Sequence, residues 1–161
     1  MKKILFVFLS IFLIVTCKSQ KTVRDKASDE SSEIIISKPK IIFTLRTTAC
    51  YGTCPVYNVT VFDNDSLIYD GQYHVNVQGQ VSKKLKKGTV VALREQFMAA
   101  DFFEFKNVYE KPITDLPTTY ISFTYQEKTK EIKDYVGSPS TLKELETLIK
   151  KLVSEEVEIK H

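Results

Sequence analysis

The spacing of hydrophobic residues changes along the chain, and this change constrains the fold more than any other feature. In residues Val56–Phe62, apolar side chains alternate with polar ones, which is the period of a half-buried β-strand. Six other segments, rich in β-branched and aromatic residues, are also predicted to be strands. They are residues Ile41–Thr47, 67–69, 73–77, 80–85, 120–125 and 131–136. Their order and short connections predict an antiparallel meander followed by a hairpin.

Two segments follow helical spacing instead. The first contains the apolar residues Val90, Leu93, Phe97 and Ala100. The second contains Leu142, Leu145, Leu148, Ile149 and Leu152. Ser138 is the predicted cap of the second helix, and Pro139 is its predicted first residue. The sequence therefore predicts an α+β domain, in which an antiparallel β-sheet (a meander) carries two amphipathic helices packed on one face.

Residues 1–16 have the pattern of a bacterial lipoprotein signal peptide. Two lysines precede an apolar run of about a dozen residues, and residues 14–17 resemble a lipobox that ends at Cys17. A membrane-spanning helix needs roughly 20 apolar residues, so this run is too short for a permanent span. We therefore predict cleavage before Cys17 and lipidation of that cysteine. An ordinary secretory signal, with Cys17 unmodified, is the alternative.

Lipidation of Cys17 sets the expected location of the protein. The resemblance to bacterial lipoproteins implies acyl chains such as palmitate on this residue, and two or more chains hold a protein stably on a bilayer. We expect a cell-envelope protein anchored in a bacterial membrane, with the periplasmic face of the outer membrane as its location. The lipid bilayer is the partner expected at this end of the chain.

The predicted domain organisation has four parts. They are the signal peptide at residues 1–16, the lipidated cysteine and a flexible tether at 17–39, a single α+β domain at 40–153, and a charged C-terminal tail at 154–161. The tether has no aromatic residue and is rich in charge and serine, a composition that cannot bury a core. As flexible chain, ~20 residues reach about 25 Å. The β-branched residues 34–36 are predicted either to add an edge strand or to dock on the domain.

Charge and motifs limit the function classes. Lys2 and Lys3 account for two of the 23 basic residues, which leaves 21 against 20 acidic residues and gives no reason to expect a nucleic-acid partner. The sequence contains no serine-hydrolase elbow, zinc-protease motif or phosphate-binding glycine loop. The absence of these motifs favours a non-enzymatic function but does not exclude an enzyme. The lysines within residues 83–87 are predicted to form a solvated strand end, with contact to anionic lipid as the alternative.

Cys50 and Cys54 mark the segment with possible chemistry. They lie four residues apart between two predicted strands of an exported protein, which favours a local disulfide. The Cys-x-x-x-Cys-Pro string also resembles the copper site of the thioredoxin-related copper chaperones, in which case His74 would be the third ligand. The strand period after Cys54 argues against this alternative, because a helix follows in those proteins. A hydrolase with a free thiol beside His74 is the second alternative.

A longer pattern resembles a known family. The string Ala-Cys-Tyr-Gly-Thr-Cys-Pro-Val-Tyr at residues 49–57 precedes Tyr109 and a Thr-Asp-Leu-Pro-Thr-Thr string at residues 114–119. In this order the motifs resemble domain-of-unknown-function family 6438, a family of small exported bacterial proteins. The resemblance covers residues 41–152. It implies no established activity, mechanism or catalytic residue.

The sequence therefore predicts a binding protein. We expect a non-enzymatic envelope domain that contacts an envelope protein, a glycan or a cell-wall partner. No catalytic residue is assigned, and no cofactor is expected apart from the lipid on Cys17, with copper held by the cysteine pair as the alternative. Tyr51, Tyr57 and Asp115 are the predicted binding surface.

Overall fold

The computed structural model describes residues 37–158, which form one seven-stranded sheet and two helices. The strands are β1 (Ile41–Thr47), β2 (Val56–Phe62), β3 (Ser66–Tyr73), β4 (Gly79–Lys84), β5 (Val108–Tyr109), β6 (Thr119–Tyr125) and β7 (Lys128–Asp134). The helices are α1 (Thr89–Ala99) and α2 (Ser140–Val157), with a short 3-10 helix at Phe102–Glu104. The strand order across the sheet is β4-β3-β2-β1-β6-β7-β5, and every pairing is antiparallel except the parallel contact of β5 with β7.

Both helices cover one face of the sheet, so the predicted α+β class is confirmed. Alternate residues of the central strands are buried on this face, including Phe43 and Leu45 of β1. Phe97 of α1 packs on Phe43 and on Phe123 of β6, with ring centroids 4.7 and 5.3 Å apart. Burying one such side chain stabilises the fold by roughly 1.5–3 kcal/mol. Helix α2 completes the same core with Leu142, Leu145, Ile149, Val153 and Val157.

The opposite face of the sheet is polar. Thr44 of β1 lies between Thr60 and Ser122 on the neighbouring strands, and its Oγ1 is 2.5 Å from the Ser122 Oγ. The guanidinium of Arg46 stacks over the ring of Tyr120, 3.8 Å from its centroid. This hydrophobic-in, polar-out alternation is what an antiparallel sheet with one solvated face requires.

The predicted strand at residues 73–77 is wrong, because β3 is a single longer strand and residues 74–78 form a loop. The hydroxyl of Tyr69 donates a hydrogen bond of 3.1 Å to the carbonyl oxygen of Val77. That oxygen would lie 2.0 Å from a Cβ at Gly71, so the loop folds back only because residue 71 is glycine. His74 begins this loop with a φ of 53° and is not in a strand.

Helix α2 departs from the sequence prediction at both ends. It begins at Ser140 and Pro139 precedes it, while the hydroxyl of Ser138 donates to Oδ2 of Asp134 at 2.6 Å and does not cap the helix. The helix continues through the buried Val157, so the predicted tail at residues 154–161 is wrong over its first four residues. The hydrophobic period extends one turn further than the stripe that ends at Leu152, which explains the longer helix.

Several predictions fall on residues that the structure does not describe. The signal peptide, Cys17, the tether up to residue 36 and the β-branched residues 34–36 lie outside the described residues, as do the last three residues of the chain. Residues from Ser37 onward form one compact unit. Within the part of the chain that the structure describes, no helix is both long and apolar enough to cross a membrane.

Candidate functional site

One end of the sheet gathers the residues that the sequence singles out. We call it the cysteine end, and it consists of the loop 48–55 between β1 and β2, the loop 74–78 after β3, and the loop 110–118 before β6. Cys50 and Cys54 form a disulfide with their Cα atoms 5.7 Å apart, so the predicted bond is confirmed. The entropy of closing so small a ring stabilises the fold by about 2 kcal/mol. The bond therefore fixes the shape of this loop more than it stabilises the whole domain.

Hydrogen bonds join the cysteine loop to the loop 110–118. The backbone N–H of Thr48 donates to the carbonyl of Thr118 at 3.0 Å, and the N–H of Thr118 donates back to the Thr48 hydroxyl at 2.9 Å. Further out, the N–H of Tyr51 donates to the carbonyl oxygen of Asp115 at 3.5 Å. Tyr51 and Asp115 are both exposed and thus lie side by side, as a shared binding surface requires.

Tyr57, the third residue of the predicted surface, is buried and does not belong to it. Only 2 % of its area is exposed, and burial, followed by the nearby Tyr69 and Glu146, raises the pKa of its phenol to about 12. The pairing of β2 with β3 shifts register between Val56 and Tyr57. Tyr57 is buried with Val59 and Val61 by the ordinary strand period, and the shift turns Val56 inward as well. The Tyr57 ring packs 5.6 Å from that of Tyr69 beneath the helices.

Four large apolar side chains are exposed at the cysteine end, and we call them the apolar rim. They are Tyr51, Tyr73, Ile113 and Leu116. Tyr51 is 91 % exposed, and Tyr73 pairs with Val56, one residue beyond the cysteine loop. Tyr135 steadies the other loop, since its hydroxyl donates to the carbonyl of Ile113 at 2.6 Å and accepts from the N–H of Leu116 at 3.3 Å. Exposed apolar side chains gathered on ordered loops are typical of contact surfaces.

A small cleft lies beneath the rim, between the strand ends and α2. Its volume is about 240 Å³. Its lining residues are Thr47, Cys54, Pro55, Tyr57, Pro117, Thr119 and Lys150. The Thr47 hydroxyl is bonded within the protein, because it donates to the carbonyl of Pro55 at 2.7 Å and accepts from the N–H of Tyr57 at 3.2 Å. The cleft is smaller than most ligand pockets and has the size of one side chain or one sugar ring.

Two carboxyl groups are buried behind this cleft, and both are 1 % exposed. Oδ2 of Asp134 lies 2.7 Å from the Lys143 ammonium, and Oε2 of Glu146 lies 3.1 Å from that of Lys150. Burial raises the pKa of Glu146, and its hydrogen bond with Asp134 raises it further. Burial also opposes ionisation of Asp134, but hydrogen bonds from Lys143 and Ser138 lower its pKa overall. The two carboxyl groups and their lysine partners connect α2 to β7.

Sequence reasoning missed this carboxyl pair, although a signal was present. Glu146 lies four residues after Leu142 and three before Ile149, so it occupies a core position of the α2 stripe. A charged residue at such a position needs a buried partner. Asp134 could not be paired with it from sequence alone, because the contact depends on how α2 crosses the end of β7.

The structure also places the residues of the two alternative sites. The sulfur atoms of Cys50 and Cys54 are bonded to each other, so neither is a free thiol that could act as a nucleophile. His74 is an exposed loop residue. Across residues 37–158, no group of three or more His, Cys, Asp or Glu side chains is arranged to hold a metal ion.

The family comparison matches the part of the chain that builds this site. A family model described as "Domain of unknown function (DUF6438)" matches residues 41–153. The chain belongs to this family. The matched region runs from β1 into α2, and so includes the sheet and all three loops of the cysteine end. The resemblance identified in the sequence is thereby confirmed. No curated protein matches the chain.

Proposed function

We propose that this DUF6438 protein is a lipid-anchored cell-envelope protein whose domain is a non-enzymatic binding module. In this proposal Cys17 carries the lipid, and the protein is located at the periplasmic face of the outer membrane. The partner, an envelope protein, a glycan or a cell-wall polymer, contacts the cysteine end. The observation that carries the proposal is the apolar rim on loops held by a disulfide and by backbone hydrogen bonds.

The geometry of the rim supports binding. Binding costs free energy when loops and side chains must become ordered, and a loop that is already closed by Cys50–Cys54 avoids part of that cost. Tyr51 presents a large, amphipathic ring with few rotatable bonds, and tyrosine is among the residues that dominate binding energy at interfaces. The cleft behind the rim is wide enough to receive one protruding group of the partner.

The chemistry near the cleft supports a module without catalysis. Its carboxyl groups, Asp134 and Glu146, are buried and bonded to Lys143 and Lys150. Neither carboxyl group lines the cleft, so neither is within reach of a ligand bound there as a proton donor or acceptor. The cysteine pair is oxidised and carries no nucleophile.

Site-specific photo-crosslinking in cells tests the binding proposal. A photoreactive amino acid is placed at Tyr51, and in a matched control at Val91, an exposed apolar residue of α1 outside the rim. We expect a discrete crosslinked species from position 51 that is missing from position 91, and mass spectrometry of the adduct distinguishes protein, glycan and cell-wall partners. Equal crosslinking from both positions, or none from position 51, would contradict the proposal.

Metabolic labelling tests the anchor separately. We expect radioactive palmitate to label the wild-type protein and not Cys17→Ser, and we expect the variant to leave the membrane fraction. An unlabelled wild-type protein would contradict lipidation while leaving the crosslinking result intact.

A further inference from the structure

Six exposed lysines gather at the end of the sheet opposite the cysteine end. They are Lys38, Lys40, Lys83, Lys84, Lys86 and Lys87. We call this end of the molecule the tether end, because residues 37–40 lead into β1 there. The two groups of lysines are more than forty residues apart in the sequence. Their proximity is therefore a result of the fold.

The turn between β2 and β3 brings the two groups together. The N–H of Lys40 donates to Oδ1 of Asp63 at 3.0 Å, and the carbonyl of Lys40 accepts from the Asp63 N–H at 2.9 Å. On the other side of the turn, the Leu85 N–H donates to the carbonyl of Asp65 at 2.8 Å, and the Lys84 ammonium contacts the carbonyl of Asn64. The start of β1 and the end of β4 are thus held on the same three-residue turn.

A groove at this end combines positive charge with an apolar floor. Lys38 lies on it together with Lys83 and Lys84, and Phe62 and Ile68 form part of its floor. The groove has a volume of about 560 Å³. A lysine rim above apolar side chains matches the boundary of a lipid leaflet, where anionic headgroups meet acyl chains.

The carboxylates at the tether end are already bonded to the protein. Asp63 accepts from the Lys40 N–H, and Asp65 accepts from the N–H groups of Gly88 and Val90 at 3.0 and 2.9 Å. Glu127 pairs with the Lys40 ammonium at 3.4 Å. Among the described residues, six lysines therefore outnumber three carboxylates at this end, in a mature chain whose overall charge is close to balance.

We propose that the tether end is a membrane-facing surface that binds the anionic headgroups of the leaflet in which the lipid anchor is inserted. The proposal rests on lipidation of Cys17 and adds an orientation to it. Residues 18–36 separate Cys17 from the described domain, and even a fully extended chain of that length spans at most about 65 Å. Such a short link keeps the lysines at high effective concentration near the headgroups. The cysteine end then faces away from the membrane, toward the partner.

Vesicle binding by the chain that starts at Lys18 tests this surface without the anchor. That chain keeps every residue of the core, which lies between Ile42 and Val157. The probe is sedimentation with vesicles of phosphatidylcholine alone, or of phosphatidylcholine mixed with phosphatidylglycerol. We expect binding only to the anionic vesicles, and we expect it to disappear at high salt because screening weakens exposed charges.

Two charge-reversal variants locate the binding surface. The first is K83E/K86E/K87E at the tether end. The matched control is K106E/K111E/K151E, which has the same net charge and places its changes on exposed lysines elsewhere. Each lysine near an anionic leaflet raises affinity about fivefold, so the first variant should bind at least about 100-fold more weakly and the control less than about fivefold. Circular dichroism confirms that both variants are folded.

Two results would overturn the proposal. One is equal loss in both variants, which would mean that only net charge matters, and the other is binding that does not depend on phosphatidylglycerol. Because the chain in this experiment has no lipid, its failure leaves palmitate labelling of Cys17 unaffected. Failure of the labelling would remove the anchor and leave the measured vesicle binding in place.

Discussion

At the tether end carboxylates hold the backbone in place, whereas at the cysteine end a disulfide and hydroxyl groups do so. Asp63 and Asp65 accept hydrogen bonds from backbone N–H groups, and most of the neighbouring lysines have no carboxylate partner among residues 37–158. At the cysteine end, Thr47 and Thr48 bond the backbone and the Cys50–Cys54 bond closes the loop. The two ends therefore differ in which side chains are left exposed and available to bind a partner. One end presents cations and the other presents apolar rings.

The strongest test of the cysteine end is Gly71→Ala. The new Cβ would lie 2.0 Å from the carbonyl oxygen of Val77, a backbone atom that cannot move without displacing the loop 74–78. We expect the free energy of unfolding to fall by about 3 kcal/mol, as in overpacked cores, and urea denaturation measures it. Gly52→Ala is the matched control, since its nearest neighbour is the Cys50 sulfur at 3.9 Å. A similar loss in both variants would show that the close approach at Gly71 is unimportant.

Removing the disulfide tests more directly whether the two ends of the domain are independent. Cys50→Ser/Cys54→Ser should lower the free energy of unfolding by about 2 kcal/mol, the entropy of one small ring. Amide hydrogen exchange should increase in residues 48–55 and 113–118, which the bond and its neighbouring hydrogen bonds hold together. Crosslinking from position 51 should weaken. Binding to anionic vesicles should not change, and a parallel loss of vesicle binding would mean that the two ends are not independent.

At the tether end, the stability of helix α1 should depend on the carboxylate of Asp65. Asp65 caps α1 from a distant turn, so Asp65→Ala should cost about 1 kcal/mol at neutral pH. Backbone hydrogen bonds from Val90 and Gly88 lower the pKa of Asp65. Its contribution is therefore present above its unfolded pKa and is lost as the pH falls through its lower folded pKa. Urea denaturation across acid pH should show the difference between wild type and variant shrinking, and a difference that stays constant would exclude the charged cap.

The sequence predicted the elements in which hydrophobic period and residue type agree over at least seven residues. Strands β1 and β2 and helix α2 are of this kind, and β1 and β2 begin and end where predicted. The prediction of a strand at residues 73–77 was wrong because the conformation of this segment depends on the close approach of Val77 to Gly71. No local sequence pattern contains that contact. Strand β5 was missed because two residues show no period.

The predictions for the candidate site were likewise right for some residues and wrong for others. The spacing of Cys50 and Cys54 between two predicted strands of an exported protein favoured the disulfide, because a turn of that length can bring the two Cα atoms within bonding range. The prediction that Tyr57 lies on the surface disregarded the strand period, which places Tyr57 on the same buried face as Val59 and Val61. Glu146 was overlooked among the leucines of α2, although its position in the stripe marks it as a core residue.

Glu146 gives the smallest expected effect in the comparison of the two ends. Its contribution to stability should change with pH in the opposite direction to that of Asp65. Burial raises the pKa of Glu146 above its usual value of 4.5, so its stabilising contribution is complete below that value. It is lost as the pH rises through the folded pKa, with a slope of at most about 1.4 kcal/mol per pH unit. Glu146→Gln has nearly the same shape and cannot ionise, so the wild type should lose stability relative to it as the pH rises.

Asp134→Asn is the control, because its effect on stability should change with pH in the opposite direction. Hydrogen bonds from Lys143 and Ser138 overcome the burial of Asp134 and lower its pKa, so here the wild type should lose stability relative to the variant as the pH falls. Urea denaturation of the three proteins from acid to alkaline pH gives both slopes in one series. Slopes of the same sign would contradict opposite pKa shifts of Glu146 and Asp134. Opposite slopes would show that burial controls the pKa of Glu146 near the cysteine end, whereas hydrogen bonds control the pKa of Asp134, as they do that of Asp65 at the tether end.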